Sequence, residues 1–396
     1  MKKILVIVKD FDRAIYFFRL KMSLEKNYKC IFLTYQMSVY YYLKYHRCDV
    51  HLMKNNVIKY KSSIDLRTTI EFKLNRLDIK NMEKIYSITY YYLNKINKKE
   101  SINYIFIWNG TSIFDLAGIE FAKINNIKTL FFEVANIPKK MFIDRQGTNA
   151  NSELQKNISV LNKYKINDRQ YSDWKNKYIN NKLKKHVVPQ AKERKYIKIC
   201  SLVNIMGYIF YTHIGYNFDC IKRKIQSLRK NTINFIYDNI NYTKRKYIFF
   251  PLQVSNDSQI LIHSDIGLMD AIAYTVNEAQ KKHLDLIIKP HPAERNKDVL
   301  NRIYQLKQKY NFYFINDNTF KLIKYAEKVV TINSTVGLEA KICGKDVEVL
   351  GKAFYKDFTE DDLKKYILGY LINIDYFSDE EISKEAIDEL EKRMNS

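Results

Sequence analysis

The sequence predicts an α/β protein of two Rossmann-like domains facing each other across a cleft, with a basic helical insertion between them. Three observations predict it. Residues 1–152 alternate short apolar runs with helix-like stretches, residues 246–375 resume that alternation, and residues 153–245 interrupt it with a Lys/Tyr/Asn-rich segment. Buried apolar strands alternating with helices are the pattern of a parallel sheet covered on both faces.

In the first domain, ILVIV (4–8), CIFLTY (30–35), YIFIW (104–108) and LFFEV (130–134) read as buried strands. The stretches 12–27, 66–98 and 112–126 read as helices. The insertion is mostly helical in propensity. It holds an uncharged run, SLVNIMGYIFYTHIGYNF (201–218), followed by the basic IKRKIQSLRK (221–230). Such an element suits an anionic membrane surface, although an ordinary helical insertion with a solvated basic face accounts for the same residues. From YIFFPL (247–252) the alternation returns, with strands in the run ending at Pro290 and at 312–316, 328–333 and 347–350. Helices follow at 265–282, 296–309, 334–343 and 360–372. A C-terminal helix at 379–394, within 376–396, closes the chain.

Composition bounds the class. A hydrophobic content of 46% with 32 tyrosines argues for a folded chain. No apolar run reaches the 18 or so residues of a spanning helix, and the apolar stretch after Met1-Lys2-Lys3 is too short for a secretory leader. A cytoplasmic protein is expected. Five scattered cysteines without a CxxC pair suggest neither a disulfide framework nor a zinc site. The absence of GxGxxG and P-loop patterns argues against simple dinucleotide and ATPase readings. The formal charge of +24 is unevenly spread. Residues 1–150 carry 26 Lys+Arg against 13 Asp+Glu, residues 151–250 carry 21 against 6, and residues 251–396 carry 20 against 24. A basic first 250 residues favours an anionic partner. With no recognised nucleic-acid motif, nucleic acid is not that partner.

Proline is scarce, and four of the five prolines fall in three segments that follow strands. LIIKPHP (286–292) ends a strand in Lys289 and His291, with Pro290 and Pro292 fixing the turn. Ligands of open α/β sheets bind at carboxyl strand ends, and these cations suit a phosphate or carboxylate; a capping histidine is the plain alternative. TINSTVGLEA (331–340) passes from strand through Asn333, Ser334 and Thr335 into a helix, an arrangement that can bind an anion or supply an N-cap at Ser334. Glu339 lies within reach of a ribose. PLQVSNDSQI (251–260) places Gln253, Asp257, Ser258 and Gln259 in a loop. Asp257 reads as nucleophile, base or ribose ligand, and equally as an N-cap. FFEVANIPKKMFIDRQGTNANS (131–152) puts Glu133 at a strand end, where a raised pKa would make it a general acid or base. Asp144, Gly147 and Asn149 form a turn, and Trp108-Asn109-Gly110 would sit beside Glu133.

Taken together, these residues resemble the bacterial capsule polysaccharide biosynthesis family, which includes the β-Kdo glycosyltransferases of capsule and lipopolysaccharide assembly. The resemblance rests on WNG at 108–110, E-x(4)-P-x(5)-D-x-x-G-x-N from Glu133 to Asn149, PLQ-x(3)-DSQ at 251–259, KPHP at 289–292 and NST-x(3)-E at 333–339. It implies a GT-B-like fold and a CMP-Kdo donor, with β-Kdo transferred under retention. It further implies Asp257 as nucleophile, Glu133 as acid/base, and His291 and Lys289 on the donor phosphate or carboxylate. Asn333, Ser334 and Thr335 would hold the nucleotide phosphate and Glu339 its ribose, with Gln253, Ser258, Gln259 and Asn109 also on the donor. A phosphate joined to cytidine is a good leaving group, so neither metal nor other cofactor is expected. The implied acceptor is a lipid or glycan, the implied location the inner face of the cytoplasmic membrane, with its anionic surface and other capsule assembly proteins as partners. The remaining readings are a CMP-sialic acid or polyol-phosphate transferase and a non-catalytic assembly or export component.

Overall fold

Apolar runs bounded by polar turns build two separate sheets in the computed structural model, which describes residues 1–55, 60–184, 197–209, 235–294 and 296–395. The first sheet contains β1 (Lys2–Ile7), β2 (Tyr28–Thr34), β3 (Asp49–Leu52), β4 (Tyr104–Trp108), β5 (Lys128–Val134) and β6 (Met141–Asp144) in the order β3-β2-β1-β4-β5-β6. All its pairings are parallel except the β5/β6 hairpin. The second contains β7 (Tyr247–Pro251), β8 (Asp285–Lys289), β9 (Tyr313–Phe314), β10 (Lys328–Thr331) and β11 (Asp346–Val349) in the order β11-β10-β7-β8-β9, all parallel. In each sheet the first strand is central. The chain runs outward on one side, then crosses to the other, which is Rossmann-type winding. It leaves a topological switch point between β1 and β4 and another between β7 and β10. The two Rossmann-like domains expected from sequence are therefore present.

The expected strands are found with ends shifted by a few residues. Two strands, β3 (DVHL) and β6 (MFID), lay below sequence detection because each is an edge strand of only four residues, β3 alternating polar with apolar ones. The expected helix 66–98 is broken. A short turn of helix at Ile70–Lys73 ends near Asn75, which takes a left-handed φ of 49°, and Ile79–Glu100 starts afresh with Asp78 accepting from the Asn81 amide. The expected helix 265–282 is found as Leu268–Lys281, with Gly267 at its N-cap, and a further helix, Ser258–His263, capped by Asp257, stands in what read as a loop. Helix Thr319–Tyr325, capped by Asn318, was not expected.

The chain divides into two units whose bounds differ from the sequence boundaries. One unit comprises Met1–Asn157, the described part of Gln190–Gln226, and Tyr370–Ser396. The other comprises the described parts of Ile158–Pro189 and Ser227–Gly369. Residues 153–245 are thus not a single insertion, and their described helices belong to different units. Helix Asp168–Lys184 joins the second unit, where Tyr178 stacks on Trp174 at 4.9 Å and meets Phe320 edge-on at 5.7 Å. Helix Ile197–Gly207 joins the first. Residues 210–218 and the basic run 221–230 lie outside the described residues. Among the described residues no helix is long and apolar enough to cross a membrane.

The second domain likewise ends at Gly369 rather than 375, because the returning chain completes the first unit. Met141 and Ile372 exchange backbone hydrogen bonds of 2.9 and 3.1 Å, which gives edge strand β6 a partner. Helix Lys384–Asn395 buries Ile387, Leu390 and Met394 in the core over β1, β4 and β5. Buried Arg393 donates to the Ile143 and Tyr370 carbonyls and stacks its guanidinium 4.6 Å from the Tyr370 ring. Lys140 is buried here too, with its ammonium on the Asn373 side-chain oxygen. Burial pulls its pKa down to about 8. A lysine whose folded pKa lies below its unfolded one costs stability while charged, and that cost fades as pH rises past about 8. Lys140→Met should therefore stabilise the protein by about 2–3 kcal/mol at pH 7, with the advantage shrinking towards pH 10, as measured by urea unfolding across that range.

Candidate functional site

In the second unit the ladder between β7 and β10 covers only the first part of β7, with Lys328 opposite Ile248 and Val329 opposite Phe249. Beyond it, the strand ends are joined by side chains. Gln253 donates through Nε2 to Asn333 Oδ1 at 3.0 Å, and its Oε1 accepts from the Asn333 backbone N–H at 3.2 Å. Asn333 Nδ2 then donates to the Gln259 carbonyl at 2.7 Å and more distantly to that of His263. Both amides are buried, at 6% and 7% exposure, so these bonds are needed to satisfy them. Gln253 and Asn333, expected on the donor, have their side chains committed to bridging the switch point. Asp257 beside them caps helix Ser258–His263, its Oδ1 accepting from the Gln259 amide at 2.9 Å. Ser258 opens that helix and is half-buried.

The end of β8 brings in His291 and Lys289. His291 Nδ1 accepts from the Ala293 backbone N–H at 3.1 Å, which assigns the ring hydrogen to Nε2 and makes that nitrogen a donor. Burial lowers the His291 pKa, against the opposing pull of Asp257 and Glu294 and with the help of Lys289. The ring is thus a neutral hydrogen-bond donor at pH 7. Glu294 is buried and ties this turn to the β7 loop, accepting from the Ser255 amide at 2.7 Å and the Asn296 amide at 2.8 Å. Lys289 donates to Thr319 Oγ1 at 2.8 Å. Burial lowers its pKa while Asp317 and Glu339 oppose the shift, so Glu339 acts electrostatically on this lysine.

At the end of β10, Ser334 caps helix Thr335–Ile342 through the Val336 amide, the plain role that sequence left open. Thr335 opens the helix and is exposed, and the first N–H groups of a helix have no intrahelical acceptor. Gly337 is required on the next turn: a Cβ there would lie 2.6 Å from the Tyr355 hydroxyl, which donates to the Ser334 carbonyl. Glu339 is buried and accepts from Tyr178 OH at 3.2 Å and Lys182 Nζ at 2.7 Å. Burial and then Glu339 raise the Tyr178 pKa, so the phenol stays protonated and donates.

The first unit bridges its own switch point. Lys9, just after β1, donates to the Trp108 carbonyl at 3.3 Å, to Ser112 Oγ at 2.9 Å and to Asp115. Asp115 is fully buried and forms a capping box with Ser112 at the start of helix Ile113–Ile124. Asn109 and Gly110 both adopt left-handed backbone, at φ 65° and 81°, and a Cβ on Gly110 would lie 2.9 Å from the Phe131 ring. WNG is therefore a turn signature, with Trp108 in the core beneath Arg13. Asn109 donates its N–H to the Phe132 carbonyl at 3.1 Å, which sets the turn beside Glu133 as expected. Glu133 itself is half-buried on β5, opposite Phe142. Asp144 organises the loop beyond, with Oδ1 accepting from the Gln146 and Gly147 amides and both oxygens from that of Glu153. Thr148 ties this loop to the Asn109 carbonyl at 3.0 Å.

The structure thus gathers Gln253, Asp257, Ser258, Gln259, Lys289, His291, Asn333, Ser334, Thr335 and Glu339 at the carboxyl ends of β7, β8 and β10. Asn109 and Glu133 gather at those of β4 and β5. A family model described as "Capsule polysaccharide biosynthesis protein" matches residues 107–359, a stretch that contains every one of these residues. The chain belongs to the capsule polysaccharide biosynthesis family. Relatives in the family's neighbourhood include the Escherichia coli capsule polysaccharide export protein KpsS, 32% identical over 130 residues, 29% of this chain and 32% of that one. The Neisseria meningitidis capsule polysaccharide modification protein LipB is 30% identical over 141 residues, covering 31% of this chain and 34% of its own. The matched stretches thus span about a third of these curated relatives. Among solved structures, Thermosulfurimonas dismutans KpsC, a "beta Kdo 2,7 transferase", aligns over 100% of this chain and 99% of its own, at 13% identity and a TM-score of 0.47.

Sequence reasoning missed Lys9, Asp115, Glu294, Tyr178, Lys182 and Tyr355. Glu294, two residues beyond the KPHP turn, carried a signal. Tyr178 and Lys182 sit in a stretch where no motif marks them. If the Gln253–Asn333 bridge holds the loops, Gln253→Leu and Asn333→Leu should each cost about 1–3 kcal/mol. The double variant should cost clearly less than their sum, as read by a denaturant-unfolding double-mutant cycle.

Proposed function

We propose that this protein is a retaining glycosyltransferase that transfers β-Kdo from CMP-Kdo to a lipid or glycan acceptor in capsular polysaccharide assembly. The observation that carries this reading is the face at the ends of β8 and β10. Lys289 and the Nε2–H donor of His291 follow β8, and the N-terminus of helix Thr335–Ile342, which carries the buried carboxylate of Glu339, follows β10. Cations and N–H donors suit the phosphate and carboxylate of such a donor, and a carboxylate suits ribose hydroxyls. Family membership supports the same pathway.

Retention requires two displacements. In this reading an Asp257 oxygen attacks the anomeric carbon, the bond to the CMP phosphate breaks, and CMP leaves with the bonding pair. The acceptor hydroxyl then attacks the glycosyl-enzyme and loses its proton to a general base, and the Asp257 carboxylate is regenerated. His291 and Lys289 stabilise charge on the departing phosphate. Asn333 and Gln253 hold the loops that carry these groups. The site of action in this reading is the inner face of the cytoplasmic membrane. A second reading, an assembly or export component without catalysis, is favoured by one observation: Asp257 already serves as a helix cap.

Purified protein supplied with CMP-Kdo and candidate lipid and glycan acceptors should release CMP, and His291→Ala should reduce kcat/KM at least about 100-fold. Turnover of CMP-sialic acid or a polyol-phosphate donor in place of CMP-Kdo would replace the Kdo assignment. No turnover of any donor would favour the assembly component. Lys182→Met should raise the KM for donor several-fold with a smaller change in kcat, because it leaves Glu339 without the charge that holds it in place.

A further inference from the structure

Helix Ile197–Gly207 is turned against the usual preference of a surface helix. Its polar and small residues face inward. Asn204 donates through Nδ2 to the side-chain oxygen of buried Gln36 at 3.0 Å, and its Oδ1 accepts from the Ser38 amide at 2.9 Å. Gly207 lies so close to Met37 that a Cβ would fall 1.9 Å from its Cγ. These contacts fix the helix on its neighbour, Met37–Tyr45, and so fix which face points outward.

That outward face is apolar. Ile199, Leu202 and Met206, and Ile209 just beyond the helix end, are 67%, 61%, 52% and 42% exposed. Their spacing of three and four residues places them on one side. No charged residue occurs between Ile199 and Ile209. The neighbouring helix carries exposed Tyr41 and Tyr45, with exposed Lys44 and Arg47 at its end. A surface helix normally buries such an apolar stripe and exposes its amide. An apolar face with tyrosines and cations beside it, on a chain of charge +24, matches an anionic bilayer surface in both apolarity and charge.

We propose that this face docks the protein on anionic phospholipid. Ile199, Leu202, Met206 and Ile209 enter the boundary between headgroups and acyl chains, and Lys44 and Arg47 contribute attraction to the headgroup phosphates. The inference is independent of the donor assignment, since none of these residues belongs to the strand-end clusters. It deepens the location given above by naming the surface that makes the contact.

The test is co-sedimentation of the full chain with vesicles of phosphatidylcholine containing phosphatidylglycerol, beside vesicles of phosphatidylcholine alone. Wild type should bind the anionic vesicles, and less so at high salt. The double variant Leu202→Glu/Met206→Glu should lose about tenfold or more of that binding. Both side chains are exposed, so an unchanged thermal unfolding midpoint should accompany the loss. Failure of wild type to bind, or equal binding by the variant, would overturn the proposal. So would light scattering that shows a wild-type dimer and a monomeric variant, because the face would then be an interface between copies.

Discussion

Everything at the candidate site of the second unit depends on two buried amides meeting across a topological switch point. At such a point neighbouring strands feed loops that leave in opposite directions, and a crevice opens between them. An open crevice exposes backbone groups and leaves its loops free to move. Gln253 and Asn333 close its base with a pair of hydrogen bonds, and Asn333 extends the link to the Gln259 carbonyl. Asp257 and Ser334 are thereby held in one register, and Glu294 ties the KPHP turn to the same loop through the Ser255 amide. Amide pairs suit this task because each supplies both a donor and an acceptor and carries no charge into the interior. The ionic chemistry is left to the groups above them.

Those groups are balanced. Lys289 is drawn down in pKa by burial and partly restored by Asp317 and Glu339. His291 is held neutral by burial, although two carboxylates act on it. Glu339 receives both a phenol and an ammonium from the helix Asp168–Lys184. A cluster of this kind already contains the donors that would meet an anion. The first unit solves the same topological problem with an ionic bridge, Lys9 to Asp115, deep enough that the carboxylate is fully buried.

Much of this was legible in the sequence, for definite reasons. Strands such as YIFIW and YIFFPL are apolar throughout, so neither periodicity nor context could disguise them. The KPHP and NST turns announce themselves by proline and by hydroxyl residues after a strand. The roles of single residues were less legible. Gln253 and Asn333 read as ligands because a sequence shows which loops carry amides but not that two loops 80 positions apart bond to each other. WNG read as a site flank, and its asparagine and glycine answer instead a demand for left-handed backbone. The domain boundaries failed where tertiary contacts decide them. Helix Asp168–Lys184 and the chain after Tyr370 have no local signal that names the sheet they pack on.

The proposed function requires an anionic nucleotide to bind the strand-end face of the second unit. Hydrogen–deuterium exchange of the full chain with and without cytidine 5′-monophosphate tests it most directly. Slowed exchange is expected in 251–259, 289–294 and 333–340, with little change in β1 to β6. Protection confined to other segments, or none at nucleotide concentrations up to the millimolar range, would contradict it.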